Sequence, residues 1–402
     1  MPTWSKKGFV WLIIVGISAA LLEIGAYFIH QHLLYQKRDW AEIFANSADL
    51  YPPGVNLDLV LADQHQTNAN MEFDFYRHYR PKSAHPGKAM STDAEGFRQT
   101  VQYLKPGDLP LIKVAFLGGS TMWGIGAEAD DQTLASHFGR LLNAADPQFN
   151  YRIKNLGVGG YQNTQELIIL LERLASDPFD VYLFYDGVNE AIAGLSVLDR
   201  KLENHPLMVP HEKFKAWAPG TFTNWRVAMR KSFERWFNNL YFIKCITIIR
   251  ERRQEQAQPE HVTGLNEKEL KQVRRVTDWY AQNKRIVTAL AREFHYLPLF
   301  LLQPTLFTKE PLSAREKASP QWSDQRHVLF EQALYDAFRE RFGKDDDFFD
   351  ISRAMRTPET VYLDDHHVAG SGNRLLAEIV MRAVGERVMA RARAIHPRTG
   401  TP

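Results

Sequence analysis

From residue 111 onward the chain alternates between short β-forming apolar runs and stretches with helical spacing, and this rhythm constrains the fold more than any other feature. The apolar runs are 111–117 (LIKVAFL), 151–156, 181–185, 297–302 and 348–351. Helical spacing covers 132–144, 163–175, 267–293, about 322–342 and about 371–393. In the second of these, Leu167, Leu170, Leu171 and Leu174 fall at i, i+3, i+4 and i+7, one face of a helix. Strands that alternate with helices join through βαβ crossovers and lie parallel. The expectation is an α/β fold with a mostly parallel sheet, covered by helices on both faces. No internal repeat interrupts it.

Two regions break the rhythm. Residues 41–110 carry Pro52, Pro53, Pro81, Pro86 and Pro106 and read as an irregular lead-in. Residues 196–270 hold Trp217, Trp225 and Trp236, then an apolar run at 241–249 and a polar stretch at 250–258. They read as a helical insertion ending in a solvated linker. The expected division is an anchor at 1–35, a lead-in at 36–110, and an α/β domain at 111–395 carrying the insertion.

The N-terminus is the second strong signal. Residues 8–29, GFVWLIIVGISAALLEIGAYFI, are apolar except for Ser18 and Glu23. As a helix they would span about 33 Å, enough for a bilayer core of about 30 Å. A cleaved signal peptide is the competing reading, but Leu22, Glu23 and Ile24 stand where a small-residue cleavage site belongs. Lys6 and Lys7 directly precede the segment, whereas Lys37 and Arg38 trail it by several residues. That bias favours an N-terminus inside the cell and the bulk of the chain outside. Glu23 is costly against lipid. It either reaches water near the outer interface or meets a second membrane protein.

Composition excludes other classes. Forty-nine basic and 47 acidic side chains give a net charge of +2, which argues against a nucleic-acid binder. The single cysteine, Cys245, excludes a disulfide framework or a cysteine zinc site. It lies in an apolar run and reads as a small buried hydrophobe. Asp345, Asp346 and Asp347 read as a solvated loop, because consecutive positions lack the alternate-residue pattern of a calcium loop. Arg250 to Arg253 and Arg387 to Arg393 read as exposed helix faces, with anionic lipid headgroups as the alternative. The three tryptophans read as core rather than as a sugar platform.

Open parallel sheets place ligands outside the carboxyl ends of their strands, and four loops there hold suitable residues. The first is Gly118-Gly119-Ser120-Thr121, where glycines permit a tight turn that lifts a hydroxyl above the sheet. A plain turn serine or a phosphate-binding turn fits equally well. The second is Gly157-Val158-Gly159-Gly160, a backbone-donor turn that lacks the G-x-G-x-x-G dinucleotide pattern. The third is Gly187-Val188-Asn189-Glu190, where Asn189 either donates to an oxyanion or caps the next helix. The fourth is Asp364-Asp365-His366-His367, where a carboxylate three residues before a histidine can fold back and fix its tautomer. Adjacent side chains point apart, so this run does not form a compact metal site alone. Neither metal nor cofactor is expected.

Taken in chain order, Ser, Gly, Asn and Asp-x-x-His at successive strand ends resemble the SGNH hydrolase superfamily, the GDSL-type esterases and lipases. The resemblance covers 111–194 and about 295–382. It departs at Gly119, where aspartate is common in the family. Thr92 to Arg98 (TDAEGFR) resembles the lead-in of membrane-anchored members. The resemblance implies a three-layer α/β/α sandwich with a flavodoxin-like sheet. It implies acyl transfer in which Ser120 is the nucleophile, His367 the base and Asp364 its orienting group. It also implies an oxyanion hole built from Ser120, Gly160 and Asn189. His367 fits the register because Asp364 precedes it by three residues and Gly372 follows by five. The expected function is a single-pass enzyme of the cytoplasmic membrane with its catalytic domain on the periplasmic side, hydrolysing O-acyl esters of an envelope glycan or lipid. An acyltransferase with a membrane partner at Glu23, or a non-enzymatic scaffold, are the alternatives. The other expected contact is the bilayer itself, through residues 8–29.

Overall fold

The computed structural model describes residues 6–31, 51–60, 62, 71–87, 89–199, 240–256 and 263–397. The chain divides into two compact units, residues 1–45 with 219–261 and residues 46–218 with 262–402.

The larger unit is built on a five-stranded sheet. After a small hairpin of β1 (Met71–Asp74) and β2 (His78–Pro81) come β3 (Leu111–Gly118), β4 (Asn150–Asn155), β5 (Val181–Asp186), β6 (Leu297–Leu302) and β7 (Phe348–Asp350). The sheet order is β4-β3-β5-β6-β7, and every pair is parallel. Counted from β3, that is the 2-1-3-4-5 order of doubly wound folds, with the direction of winding switching at β3.

Strand side chains alternate between two cores, as a period of two requires. Ile112, Val114 and Phe116 of β3 face one core, and Ala115 and Leu117 face the other. The first core is closed by the helices Leu134–Ala145 and Gly370–Ile395 through residues such as Phe138, Leu142, Val380 and Val384. The second is closed by helices Asn163–Ser176, Val188–Asp199, Glu267–Phe294 and Gln325–Phe342. The result is an α/β/α sandwich. Phe184 and Phe300 stack across β5 and β6 with centroids 4.9 Å apart. Truncating either to alanine would cost about 3–5 kcal/mol. Asn266 starts the long Glu267–Phe294 helix with a capping box: its Oδ1 accepts from Lys268 and Glu269, and Glu269 accepts from Asn266 in return.

Some local readings differ. Residues 71–81, read as irregular, form the β1–β2 hairpin with Phe73 opposite Tyr79. Asp345 and Asp347, read as solvated, both pair with Lys284, the first at 2.9 Å. Residues 250–253, read as a helix face, do belong to the helix Tyr241–Gln256, which continues through 254–256, read as linker. Most of the 196–270 insertion, with all three of its tryptophans, lies outside the described residues.

In the smaller unit, the helix Lys6–Ile29 packs on the helix Tyr241–Gln256. Glu23 was expected to reach water or another protein. Within this unit the partly buried carboxylate accepts the backbone N–H groups of Tyr241 and Phe242, the latter at 3.2 Å, and so caps the second helix. Tyr27 meets Tyr241 edge to face, with centroids 4.8 Å apart, and Cys245 is buried against the Ala26 carbonyl. Among the described residues no helix is long and apolar enough to cross a membrane. The expected span therefore rests on the sequence of residues 8–29.

Candidate active site

Register brings the candidate loops together. Gly118 pairs with Tyr185, so β3 and β5 end level and the residues after them leave the sheet side by side. The chain turns at Gly119 directly into a one-turn helix, Ser120–Trp123. The Val158 N–H binds the Gly118 carbonyl at 3.0 Å, which draws the loop after β4 to the same point.

Ser120, His367 and Asp364 form one hydrogen-bonded chain. His367 Nε2 lies 2.7 Å from Ser120 Oγ, and His367 Nδ1 lies 2.7 Å from Asp364 Oδ2. With Nδ1 protonated and donating to Asp364, Nε2 is left to accept the serine proton. Asp364 Oδ1 also accepts the backbone N–H groups of His367 at 2.7 Å and His366 at 2.9 Å, which locks the turn that presents the ring. Burial alone would push the Asp364 carboxyl up. Attraction from His367 and His366, with the hydrogen bond from His367, instead holds it below the usual carboxylate range. Ser120 and His367 are each 8% exposed, so the reacting atoms are largely shielded from solvent.

Of the remaining predicted residues, Asn189 lies against the residue before the serine. Asn189 Nδ2 donates to the Tyr161 carbonyl at 2.7 Å, leaving the amide a second hydrogen to give. A Cβ at position 119 would fall 1.8 Å from Asn189 Nδ2, so the amide rests directly on the backbone before the serine, and only glycine leaves room for it. Gly160 has φ +79°, and a Cβ there would meet the Tyr79 hydroxyl at 2.7 Å. Tyr79 donates that hydroxyl to the Gly159 carbonyl at 2.8 Å, and the Tyr161 hydroxyl donates to the Tyr79 carbonyl. Gly160 is thus held between two anchored neighbours.

Several supporting residues were not read from the sequence. Arg98, 1% exposed, donates to the carbonyls of Gly124 at 2.7 Å and Ala89 at 3.1 Å and pairs with Asp130 at 3.0 Å. Gly124 ends the nucleophile helix, so Arg98 clamps it; the TDAEGFR segment was the one signal that pointed here. Asn155 donates to the Met122 carbonyl at 2.8 Å, and Thr121 donates to Gln303 at 2.9 Å. His366 packs on His367 with ring centroids 4.0 Å apart and the rings tilted by 43°, and its Nδ1 lies 2.8 Å from Asp365. Asp365 in turn lies 3.3 Å from His327. Burial works against a charged His366 ring, but Asp365 and Asp364 raise its pKa to about 9.

Behind β5 three carboxyls are buried together. Glu190 accepts from the backbone N–H groups of Asn163 at 3.0 Å and Gly187 at 2.9 Å, and Asp186 accepts from the Tyr280 hydroxyl at 2.9 Å. Desolvation first, then repulsion from Glu190, pushes the Asp186 carboxyl well up, and Glu166 rises by desolvation and the nearby Asp186 and Glu190. A metal is the other chemistry worth testing. The ligand atoms of Asp364, His366 and His367 lie within 4.8 Å of one another. They are already engaged with each other, with Asp365 and with Ser120, so the set is satisfied as a proton-transfer chain without an ion.

No family model and no curated protein matches the chain. Among solved structures, it is similar to the acetyl xylan esterase AlAXEase at 13% identity, over 67% of this chain and 98% of that one, with a TM-score of 0.34. It is similar to LAE5, an α/β hydrolase from the metagenome of Lake Arreo, Spain, at 14% identity, over 69% and 97%, with a TM-score of 0.35. A lipolytic protein of the G-D-S-L family from Veillonella parvula gives 9% identity over 67% and 97%, with a TM-score of 0.36. At such TM-scores these likenesses carry no weight, and the site is read from its own side chains.

Proposed function

We propose that this chain is a serine esterase of the SGNH type that hydrolyses O-acyl esters, foremost O-acetyl esters, of a cell-envelope glycan or lipid. The observation that carries the reading is the continuous Ser120–His367–Asp364 hydrogen-bond chain beside the amide of Asn189. Ser120 Oγ attacks the ester carbonyl while His367 Nε2 takes its proton, and Asp364 steadies the imidazolium. The carbonyl oxygen, now an anion, meets the N–H groups of Ser120 and Gly160 and the Asn189 amide; loss of one such donor typically costs about 10²–10³ in rate. The tetrahedral intermediate collapses, His367 protonates the departing sugar hydroxyl, and the acyl group stays on Ser120. Water then attacks with His367 again as base, releasing the carboxylic acid and the free serine.

Hydrolysis is preferred over transfer to a second glycan. The other reading is an acyltransferase fed by a membrane partner; its one sequence motive, Glu23, accepts a backbone N–H within the chain. In this reading residues 8–29 hold the protein in the cytoplasmic membrane with the catalytic unit on the periplasmic side. The first test is Ser120→Ala, assayed on p-nitrophenyl acetate and by labelling with a fluorophosphonate. Turnover and label should both disappear while the thermal unfolding profile stays. Undiminished turnover would end the esterase reading.

A further inference from the structure

A cavity of about 690 Å³ lies in the larger unit and contains none of the groups assigned to the acylation site. Its size falls in the range of about 300–1,000 Å³ typical of small-molecule sites. One wall is the segment that leaves the carboxyl end of β6, from Phe307 to Leu312. That segment is tied to the loop carrying the base: the Leu306 N–H donates to the Asp365 carbonyl at 2.8 Å. The Phe307 ring also packs on His327, with centroids 5.8 Å apart, and His327 reaches Asp365. The cavity and the triad therefore share one edge of the sheet and one supporting loop.

The lining has a distinct chemistry. Five cations, Lys309, Lys317, Arg339, Arg353 and Arg356, face it against two carboxylates, Glu310 and Asp336. Two of the cations are already committed. Lys309 is buried on Glu316, and Arg339 pairs with Asp336 and Asp350 at 2.6 and 2.7 Å. Lys317, Arg353 and Arg356 are exposed and make no ion pair among the described residues. Glu310 is the one acid in the lining left to balance them. On the apolar side stand Phe307 and Trp322, edge to face at 5.1 Å, with the indole N–H fixed on the Glu316 carbonyl at 2.9 Å. A fixed aromatic pair next to unspent guanidinium groups suits a ligand with an apolar ring face and an anionic substituent. Guanidinium forks match carboxylate and phosphate alike.

We infer that this cavity is a subsite for an anionic sugar of the glycan whose ester is cleaved, held by Arg353, Arg356 and Lys317 and stacked against Trp322 and Phe307. The inference rests on the esterase reading for the word substrate but not for the binding itself. The negative charge is either a uronate carboxylate or a sugar phosphate, and the test separates them.

The full chain in a neutral detergent is titrated calorimetrically with trigalacturonate, with glucose 6-phosphate and with neutral xylotriose. Binding of trigalacturonate or of the phosphate, weakened by salt and by at least about tenfold in Arg353→Gln/Arg356→Gln, is expected. Which anion binds more tightly names the charge. Lys317→Gln gives an independent, smaller loss. In parallel, KM for O-acetylated trigalacturonate should rise about tenfold in the double variant, while p-nitrophenyl acetate and acetylated xylotriose turn over as in the wild type. Binding of neither anion, equal binding of xylotriose, or unchanged affinity in the double variant would overturn the subsite. Anion binding without any p-nitrophenyl acetate turnover would overturn the esterase reading and leave the subsite standing.

Discussion

His366 and His367 are neighbours with different reach. Only His367 has one ring nitrogen on Ser120 and the other on a carboxylate; His366 spends its Nδ1 on Asp365. His367→Ala should lower kcat by about 10⁴ or more, no less than Ser120→Ala, and the double variant should be no worse, because such groups act as a unit. His366→Ala should cost about tenfold or less, through the lost packing partner. Steady-state kinetics on the two single variants decides, and a larger loss at His366 would reverse the assignment. His366 also makes stability depend on pH. Its pKa is raised in the folded state, so its contribution is complete below about pH 6.5, the unfolded value, and is lost as pH rises through about 9. Between those limits the wild-type midpoint of thermal unfolding should fall more steeply with pH than that of His366→Ala. The buried Asp186 carboxyl behaves in the same sense for a different reason. Its proton is favoured by burial, so its stabilising form is complete in acid and is lost as the pH rises toward the folded value. Asp186→Asn mimics the protonated carboxyl and should unfold at a higher temperature than wild type, by a margin that grows from pH 6 to 9. A constant or shrinking margin would mean that the carboxyl is ionised in place.

At the scale of elements, a one-turn helix such as Ser120–Trp123 has no stability of its own. It is held by Asn155 at the Met122 carbonyl, by Thr121 on Gln303, and by Arg98 at the Gly124 carbonyl. Arg98 reaches the carbonyls of Ala89, Trp123, Gly124 and Ala127 and a carboxylate at once, which a lysine ammonium on a longer, thinner stem does not reproduce. Arg98→Lys should therefore lower kcat for p-nitrophenyl acetate by about 10–100-fold with KM little changed, as expected for a displaced nucleophile. Fluorophosphonate labelling of Ser120 should slow in step. A variant that loses stability while labelling at the wild-type rate would show that Arg98 serves the fold and not the serine.

For the whole molecule, the slight lysine bias before residue 8 predicts that a C-terminal alkaline phosphatase fusion is active in a bacterial host and a fluorescent protein fusion dark. The opposite pattern would remove envelope substrates from consideration. How much of this was legible follows from where the information sits. The central strands were legible because both faces of β5 and β6 are buried, so the chain has to write uninterrupted apolar runs. The site loops were legible only together: each alone also reads as a plain turn or a helix cap, while all four in chain order at strand ends make a pattern. The hairpin at 71–81 was not, since four-residue strands bearing Glu72, Asp74 and Arg80 show no apolar run. Arg98 was legible only as part of a motif, because its partners are carbonyls, which every residue possesses. The partner of Glu23 lies 218 residues away at Tyr241, a distance across which no local spacing carries a signal.

The Arg98 clamp also sets an order of events during synthesis. Residues 71–98 leave the ribosome before any strand of the sheet exists, since domains assemble as the chain emerges from its N-terminus. Until Gly124 and Asp130 follow, the guanidinium has neither of these partners, and until Gly159 follows, the Tyr79 hydroxyl lacks its own. This early segment thus waits for partners that are made some tens of residues later. A nascent chain stalled within the sheet would carry Ser120 with its clamp but without His367 and Asp364, so the serine would become reactive only when the last helix follows.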